Sequence, residues 1–386
     1  MNKKIDNLIK EEKKRQRKVI NLIASENYVS QDVLKVLGSE LVNKYAEGYP
    51  GARYYGGNEV VDEIEKYCQT QALKVFKAPS KKWSVNVQPL SGSPANVAVY
   101  LALVKPGEKI MGMTLSDGGH LTHGHKVSIT GKIWEQVPYG VDEKTEELNY
   151  DDLMKLARRE KPKLIVAGFT AYPRKINWQK FRKIADEVGA ILMVDMSHIA
   201  GLVAGGVYPS PFPYSDVVTT TTHKTLRGPR GAMIFSRLEY SKKIDKAVFP
   251  GMQGGPHINQ IGATAICLDE ADTKEFKNYA KEVVKNAKAL AGELSRLGWR
   301  LVSGGTDSHL ILMDTWMDGN GISGSEASTR LEDAGIIVNK NTIPGDKRSP
   351  MDPSGIRLGT AAETTRGKKE ADMVKLAQKI DKILRS

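Results

Sequence analysis

Short apolar runs recur through the middle of the chain: EKIMGM, KIWEQV, KLIVAGF, AILMVDM, DVVTTTT and GAMIFS. Each is too short for a helix and rich in β-branched residues, which reads as a buried strand. Between several of them lie DDLMKLARRE and WQKFRKIADEVG, whose apolar residues fall at three- and four-residue spacing. Parallel neighbours need such a crossover helix, whereas antiparallel ones need only a turn. The alternation therefore predicts an α/β domain: a mostly parallel, mixed sheet sandwiched by helices.

The texture changes on either side. Residues 1–20 read as a charged helical arm with Ile5, Leu8, Ile9 and Val19 as its few apolar contacts. VVDEIEKYCQTQALKVF has helical spacing, and PANVAVYLALV reads as a buried helix. From Phe276 to Leu297 apolar residues mark one long amphipathic helix closed by Gly298. Short strands (WRLVSG, HLILMDT, GIIVNK) and a last helix through Met373, Leu376, Ile380 and Ile383 follow. The predicted division is an arm and large domain over 1–270 and a smaller α+β domain over 271–386. At 386 residues the chain is long enough for two cores.

Composition matters mainly for what it excludes. No apolar run approaches the roughly 20 residues of a membrane span. The first residues, MNKKIDNLIKEEKKRQRK, lack the apolar core of a signal peptide, and their glutamates argue against a transit peptide. Cys68 and Cys267 are too few for a disulfide framework or a cysteine metal site, and no metal is expected. A cytoplasmic location is the expectation. The net charge of +12 permits contact with nucleic acid or an acidic partner, but it suits a site for small anions equally. No zinc finger, helix-turn-helix or RNA-binding motif accompanies it, so nucleic acid is not expected as the primary partner.

In open α/β sheets, ligands sit beyond the carboxyl ends of the strands. LMVDMSHIAG ends a strand with Asp195 and continues to His198; VVTTTTHK ends the next with His223 and Lys224. QPLSGSPAN places Ser91, Gly92 and Ser93 before a helix, where free N–H groups favour a phosphate. SDGGHLTHG adds His120 and His123 in a glycine-rich loop. Singly these have plain readings: an N-cap, a structural carboxylate, a solvated lysine. Together, an acid, a lysine and a phosphate cradle are the parts pyridoxal phosphate needs.

The segment VVTTTTHKTLRGPRG resembles the cofactor-lysine segment of serine hydroxymethyltransferases, which are fold-type-I pyridoxal-phosphate enzymes. So do LIASENYVS, NKYAEGYPGARYYGG, SGSPANVAVY, GGHLTHG, VDMSHIAGLVAGGVYP, VFPGMQGGP, VNKNTIP and SGIRLGT, in the family's order. The resemblance implies that Lys224 carries pyridoxal 5'-phosphate as a Schiff base, with Asp195 on its pyridine nitrogen and His120 on its ring face. It places Ser91, Gly92 and Ser93 on the phosphate, joined by Gly254 and Gly255 from a second subunit, with Thr170 and His198 near the phenolic oxygen. Arg357 would hold the substrate carboxylate, assisted by Ser25 and Tyr55. Tyr45 and Glu47 would be an acid/base pair brought across a dimer interface. Thr221 would offer a hydroxyl, His223 would shape substrate choice, and Arg230 would keep the lysine amine unprotonated. Glu47, Tyr54, Leu115, Gly119, His120, Leu121 and Asn341 would contact a tetrahydropterin, with core packing as the plain reading of the two leucines.

The implied reaction is reversible transfer of serine's hydroxymethyl carbon to tetrahydrofolate or a related pterin, leaving glycine. It would pass through an external aldimine and a glycine quinonoid, on a homodimer that could pair into a tetramer. The alternatives weighed are a pterin-independent aldolase for threonine or other β-hydroxy amino acids on the same fold, an RNA- or acidic-partner-binding protein, and an inactive structural homologue. Retention of YAEGYPG and VNKN favours the transferase over the aldolase, and intact Lys224, Asp195, Arg357 and Glu47 argue against an inactive homologue. The chain departs from the family pattern at Thr170, where serine is usual, at Met252 in place of glycine and at Ala361 in place of proline. Its C-terminal part is also shorter than is typical, which is expected to bear on small-domain closure or pterin affinity.

Overall fold

A computed structural model describes residues 3–386. Its centre is a seven-stranded sheet of β1 (Trp83–Asn86), β2 (Lys109–Met113), β3 (Glu135–Tyr139), β4 (Leu164–Gly168), β5 (Ile191–Asp195), β6 (Val217–Thr221) and β7 (Ala232–Arg237), in the order β1-β7-β6-β5-β4-β2-β3. The five strands from β6 to β3 are parallel, and β7 runs antiparallel to both β6 and β1. Helices cover both faces, so strands such as Leu164–Gly168 are buried at every position and read as continuous apolar runs.

Local signals set the helix ends. Asn149 Oδ1 accepts from the N–H groups of Asp151 and Asp152, and Asn177 Oδ1 accepts from that of Lys180, capping the helices Tyr150–Glu160 and Trp178–Val188. Ser128 caps a short helix, Ile129–Ile133, inside what the apolar pattern had suggested was strand, so β3 begins only at Glu135. A short apolar run fits either period, and the serine cap decides it. Strand β1 carries no clear alternation and pairs with β7 at the sheet edge.

The second sheet is antiparallel: β8 (Arg300–Leu301), β9 (Leu310–Asp314), β10 (Asn339–Asn341) and β11 (Gly355–Gly359), in the order β8-β9-β11-β10. GIIVNK, which reads as one strand, breaks at Val338. Ile336–Ile337 pairs in parallel with Ile20–Asn21, while Asn339–Asn341 pairs with β11. The long helix Lys274–Arg296 serves both cores: Phe276, Ala280 and Val283 pack with the large sheet, Leu290, Ala291 and Leu294 with the small one. We retain 1–270 and 271–386 as the proposed division, with this helix as the shared element.

The arm is a helix, Lys3–Lys18, but Ile5, Leu8 and Ile9 are exposed, not the internal contacts expected of them. Their stripe faces away from the chain's own core, and helix periodicity says nothing about who covers a stripe. The C-terminal end of the arm is held instead by the Arg366 guanidinium, which donates to the carbonyls of Gln16, Arg17 and Val19.

Candidate active site

Strand register puts Gly168, Asp195 and Thr219 in one row across the carboxyl ends of β4, β5 and β6. Glycine is required at 168 because a side chain there would come within 2.4 Å of the Asp195 carbonyl oxygen. Asp195 Oδ2 accepts from Asn96 Nδ2 (2.9 Å) and lies 3.1 Å from His123 Nε2. Its Oδ1 accepts from the amide of Ser197 (3.1 Å) and from the Ser197 hydroxyl (2.6 Å). The His120 amide donates to His123 Nδ1 (3.2 Å), which leaves the Nε2 proton of a neutral ring to point at Asp195. Burial alone would raise the Asp195 pKa. The hydrogen bond from His123 and the positive charge of its surroundings outweigh it and hold the carboxyl well below the usual range.

Lys224 follows β6 by three residues, and its amine has the opposite bias. Burial pushes it down, Asp195 pulls it up, and the charges of Arg357 and then Arg230 lower it, for a net value of about 8. Arg230 therefore contributes, as its position in the sequence suggested, but after burial and Arg357. His120, pushed down to about 4 by burial first, accepts through Nδ1 from Thr122: the Thr122 amide donates to it (3.1 Å), and the Thr122 hydroxyl lies 2.7 Å away. His198 is buried and stacked on His309, with ring centroids 5.6 Å apart and planes 24° from parallel. Burial, then the charges of Lys224 and Arg357, keep His198 neutral.

The other predicted residues fall into several groups. Arg357, on β11, donates from Nε to Asn339 Oδ1 (3.0 Å) and from Nη1 to the Thr170 carbonyl (2.7 Å), and burial lowers its pKa to about 10. The Thr170 hydroxyl donates to Gly119 O (2.8 Å), so Thr at this position keeps the oxygen and anchors the His120 loop. Ser25, His223 and Arg230 line one 440 Å³ cavity together with Asn27 and Tyr28. Leu115, Gly119 and Leu121 lie in the loop after β2, with Leu121 exposed, and Asn341 stands opposite, where the Thr342 hydroxyl donates to Ser116 O (3.3 Å).

Tyr45, Glu47, Tyr54 and Tyr55 form a separate group on a hairpin (Gly48–Tyr49 with Ala52–Arg53). The Tyr45 hydroxyl donates to Glu47 Oε1 (3.3 Å), and the Tyr55 ring sits 5.3 Å from both Tyr45 and Tyr54. Gly254 and Gly255 lie against them: a side chain at 254 would come within 3.0 Å of Glu47 Oε1, and one at 255 within 3.3 Å of the Tyr45 ring. Met252, where a glycine is usual, has no left-handed backbone and packs on the apolar cluster above β7. Ala361 opens the helix Ala361–Thr365, at the position where proline costs a helix nothing.

Ser91, Gly92 and Ser93 do stand at a helix start. Ser91 caps the helix Gly92–Leu103 with no side-chain hydrogen bond to the helix, and a side chain at Gly92 would come within 2.7 Å of Thr221 Cγ2. Thr221 Oγ1 and His223 Nδ1 are buried with no hydrogen-bond partner among the described residues. Polar atoms in that state are costly unless a ligand satisfies them, and here they flank the lysine. Sequence reasoning missed Asn96, Thr219, Ser197, His309 and Asn339. Asn96 alone left a signal, a polar residue in the otherwise apolar PANVAVYLALV.

Two comparisons bear on this geometry. The family model described as serine hydroxymethyltransferase matches residues 1–380. A protein of Desulfotalea psychrophila named serine hydroxymethyltransferase is 56% identical over 380 residues, covering 98% of this chain and 88% of that protein. With a strand-end row of this kind and a match over its whole length, the chain belongs to the serine hydroxymethyltransferase family.

Proposed function

We propose that this chain, a transferase of one-carbon groups by its family, holds pyridoxal phosphate covalently on Lys224 and passes the hydroxymethyl carbon of serine to tetrahydrofolate. The observation that carries the assignment is the buried amine of Lys224, three residues past a strand end whose Thr221 hydroxyl has no partner among the described residues; the amine is lowered, by burial first, to about 8. Bound there, the cofactor supplies an electron sink for the charge left on the substrate α-carbon.

The chain's own residues do the rest. Asp195, fixed by four hydrogen bonds, stays ionised and so holds a proton on a ring nitrogen placed against it. The N–H groups of the first turn at Ser91, Gly92 and Ser93 take the phosphate. Arg357 offers its fork to a carboxylate, its plane set by Asn339 and Thr170, and Ser25 assists from the cavity edge. His120 and His198, both neutral, would face a ring bound there without adding charge. Glu47 would move a proton at the hydroxymethyl oxygen, with Tyr45 orienting it. The pterin would lie between the Leu115–Leu121 loop and Asn341, against Tyr54. We place the Tyr45–Tyr55 hairpin and Gly254–Gly255 at the site of a second subunit, on a homodimer that works in the cytoplasm. No helix among the described residues is long and apolar enough to cross a membrane.

The test is a spectrum of the purified protein reconstituted with pyridoxal phosphate. Glycine should produce a long-wavelength band that grows when tetrahydrofolate is added. Protein that stays colourless with the cofactor rules the proposal out. Serine cleavage indifferent to the pterin refutes its second half.

A further inference from the structure

Lys224 has a long, flexible stem, and a catalytic amine must be held to about half an ångström. What holds its backbone is therefore informative. The Lys224 carbonyl accepts from the Arg227 amide (3.1 Å) across a turn in which Arg227 is left-handed (φ 65°). Such a turn is unfavourable for arginine by itself. On the sheet side Thr225 is pinned: its hydroxyl donates to the His198 carbonyl (2.9 Å) and accepts from the Gly201 amide (3.0 Å).

On the other side stands Asn27, from the LIASENYVS segment. Its Nδ2 donates to the Lys224 carbonyl (3.0 Å) and to the Tyr279 hydroxyl (2.8 Å). Its Oδ1 accepts from the Thr365 hydroxyl (2.7 Å) and the Tyr28 amide (2.9 Å). A carboxamide offers two donors and two lone pairs, and all are used. Tyr279 in turn donates to the carbonyl of Thr225 (3.2 Å), and its ring carries the Arg227 guanidinium at 4.4 Å. The carbonyls of two successive residues, Lys224 and Thr225, thus end on one Asn27–Tyr279 pair.

We propose that Asn27, acting through Tyr279, is a positioning residue that fixes the Lys224 backbone and so the place of its amine. It also couples that amine to three other parts of the site. Asn27 stands two residues from Ser25, Tyr279 belongs to the helix shared by both cores, and Thr365 ends the short helix that follows β11, the strand of Arg357. The importance of that amine rests on the reading of Lys224 given above; the clamp on its backbone does not.

The experiment uses the full chain with Asn27→Ala, Tyr279→Phe and the pair. In cofactor-free protein, the rate of Lys224 acylation by acetic anhydride is followed against pH by peptide mass. Releasing the clamp lets water reach the amine, so the midpoint should rise by about one pH unit in Asn27→Ala, a roughly tenfold slower reaction at pH 7. Tyr279→Phe, which removes one oxygen and keeps the ring under Arg227, should shift it less in the same direction. The pair should shift it by less than the sum, because both act on one unit. An unchanged midpoint in folded Asn27→Ala, whatever the loss of thermal stability, overturns the proposal. Should Asn27→Ala not fold, Tyr279→Phe alone decides by the same criterion. Borohydride reduction of the parent chain with pyridoxal phosphate tests the other reading separately: label away from Lys224 refutes the cofactor assignment and leaves the acylation result standing.

Discussion

The floor around Lys224 and the hairpin around Glu47 are both rich in titratable groups, yet they are finished to different degrees. In the floor nearly every polar atom finds its partner within the chain: Asp195 accepts four hydrogen bonds, and Asn96 links it to Thr219 and Thr122. In the hairpin the backbone is just as firmly held, but the side chains are not covered. Arg53, with a side chain 4% exposed, bonds Glu65 at 2.6 Å, Asp62 at 2.8 Å and the carbonyls of Ala46 and Gly48. Tyr45, Tyr54 and Tyr55 nonetheless remain 56, 79 and 45% exposed. The buried ion-pair network holds the hairpin while leaving the three tyrosine rings bare, which is why we proposed a second subunit there.

The largest expected effect tests the floor. Lys224→Ala should lower serine turnover more than about a thousandfold, roughly 4 kcal/mol of barrier, while the urea midpoint moves little. Glu47→Gln should cost about a hundredfold or more, the usual worth of a positioned proton donor. Mixing the two inactive variants under conditions that exchange subunits then separates the regions. If the hairpin serves a neighbour, half of the dimers are mixed and each has one intact site, so roughly a quarter of parental activity returns. No recovery would place Glu47 with its own Lys224 and erase the distinction drawn here.

A tenfold effect is expected in the attachment of cofactor. The free amine is the nucleophile, so with Lys224 near 8 the rate of cofactor uptake should climb about tenfold from pH 6 to pH 7 and level off above pH 8. A rise continuing to pH 10 would mean an ordinary, solvated lysine. A smaller effect concerns acid stability. Burial pushes His309 down to about 3, below its value in the unfolded chain near 6.5. The unfolded state therefore binds the proton first, and stability is lost as pH falls from about 6.5 toward 3. His309→Phe should flatten the pH dependence of the urea midpoint by up to about 1.4 kcal/mol per pH unit, whereas Tyr54→Phe should leave it unchanged. Smallest of all, Tyr54→Ala should change stability by less than about 0.5 kcal/mol, as for any side chain this exposed.

Much of the floor was legible because strand ends are marked in the sequence. An apolar run terminating in Asp195 or in Thr221, His223 and Lys224 announces both the strand and the edge where a ligand can sit. The residues that were missed share a property: Asn96, His309 and Asn27 act on partners far along the chain. Asn27 lies 197 residues from Lys224, and His309 lies 285 from Ala24, whose carbonyl is 3.1 Å from its Nε2. Asn96 at least stands out in an apolar run; the other two have no local signature, because their roles are defined by what folding brings to them. The exposed stripe of the arm failed for the converse reason: its period was read correctly, but period does not name the surface that covers it.

The sequence by itself determined the α/β architecture, since short apolar runs alternating with helical spacing leave few ways to bury both faces of a sheet. It also determined the chemistry on offer at each strand end, through residue type alone. Only the tertiary structure decided the register that sets Asp195 between Gly168 and Thr219, and the burial that lowers the Lys224 amine. It alone showed the clamp of Asn27 and Tyr279, and the contact of Tyr45 with Glu47. Hydrogen bonds and desolvation depend on distances between residues hundreds of positions apart. Those distances exist only once the chain has closed on itself.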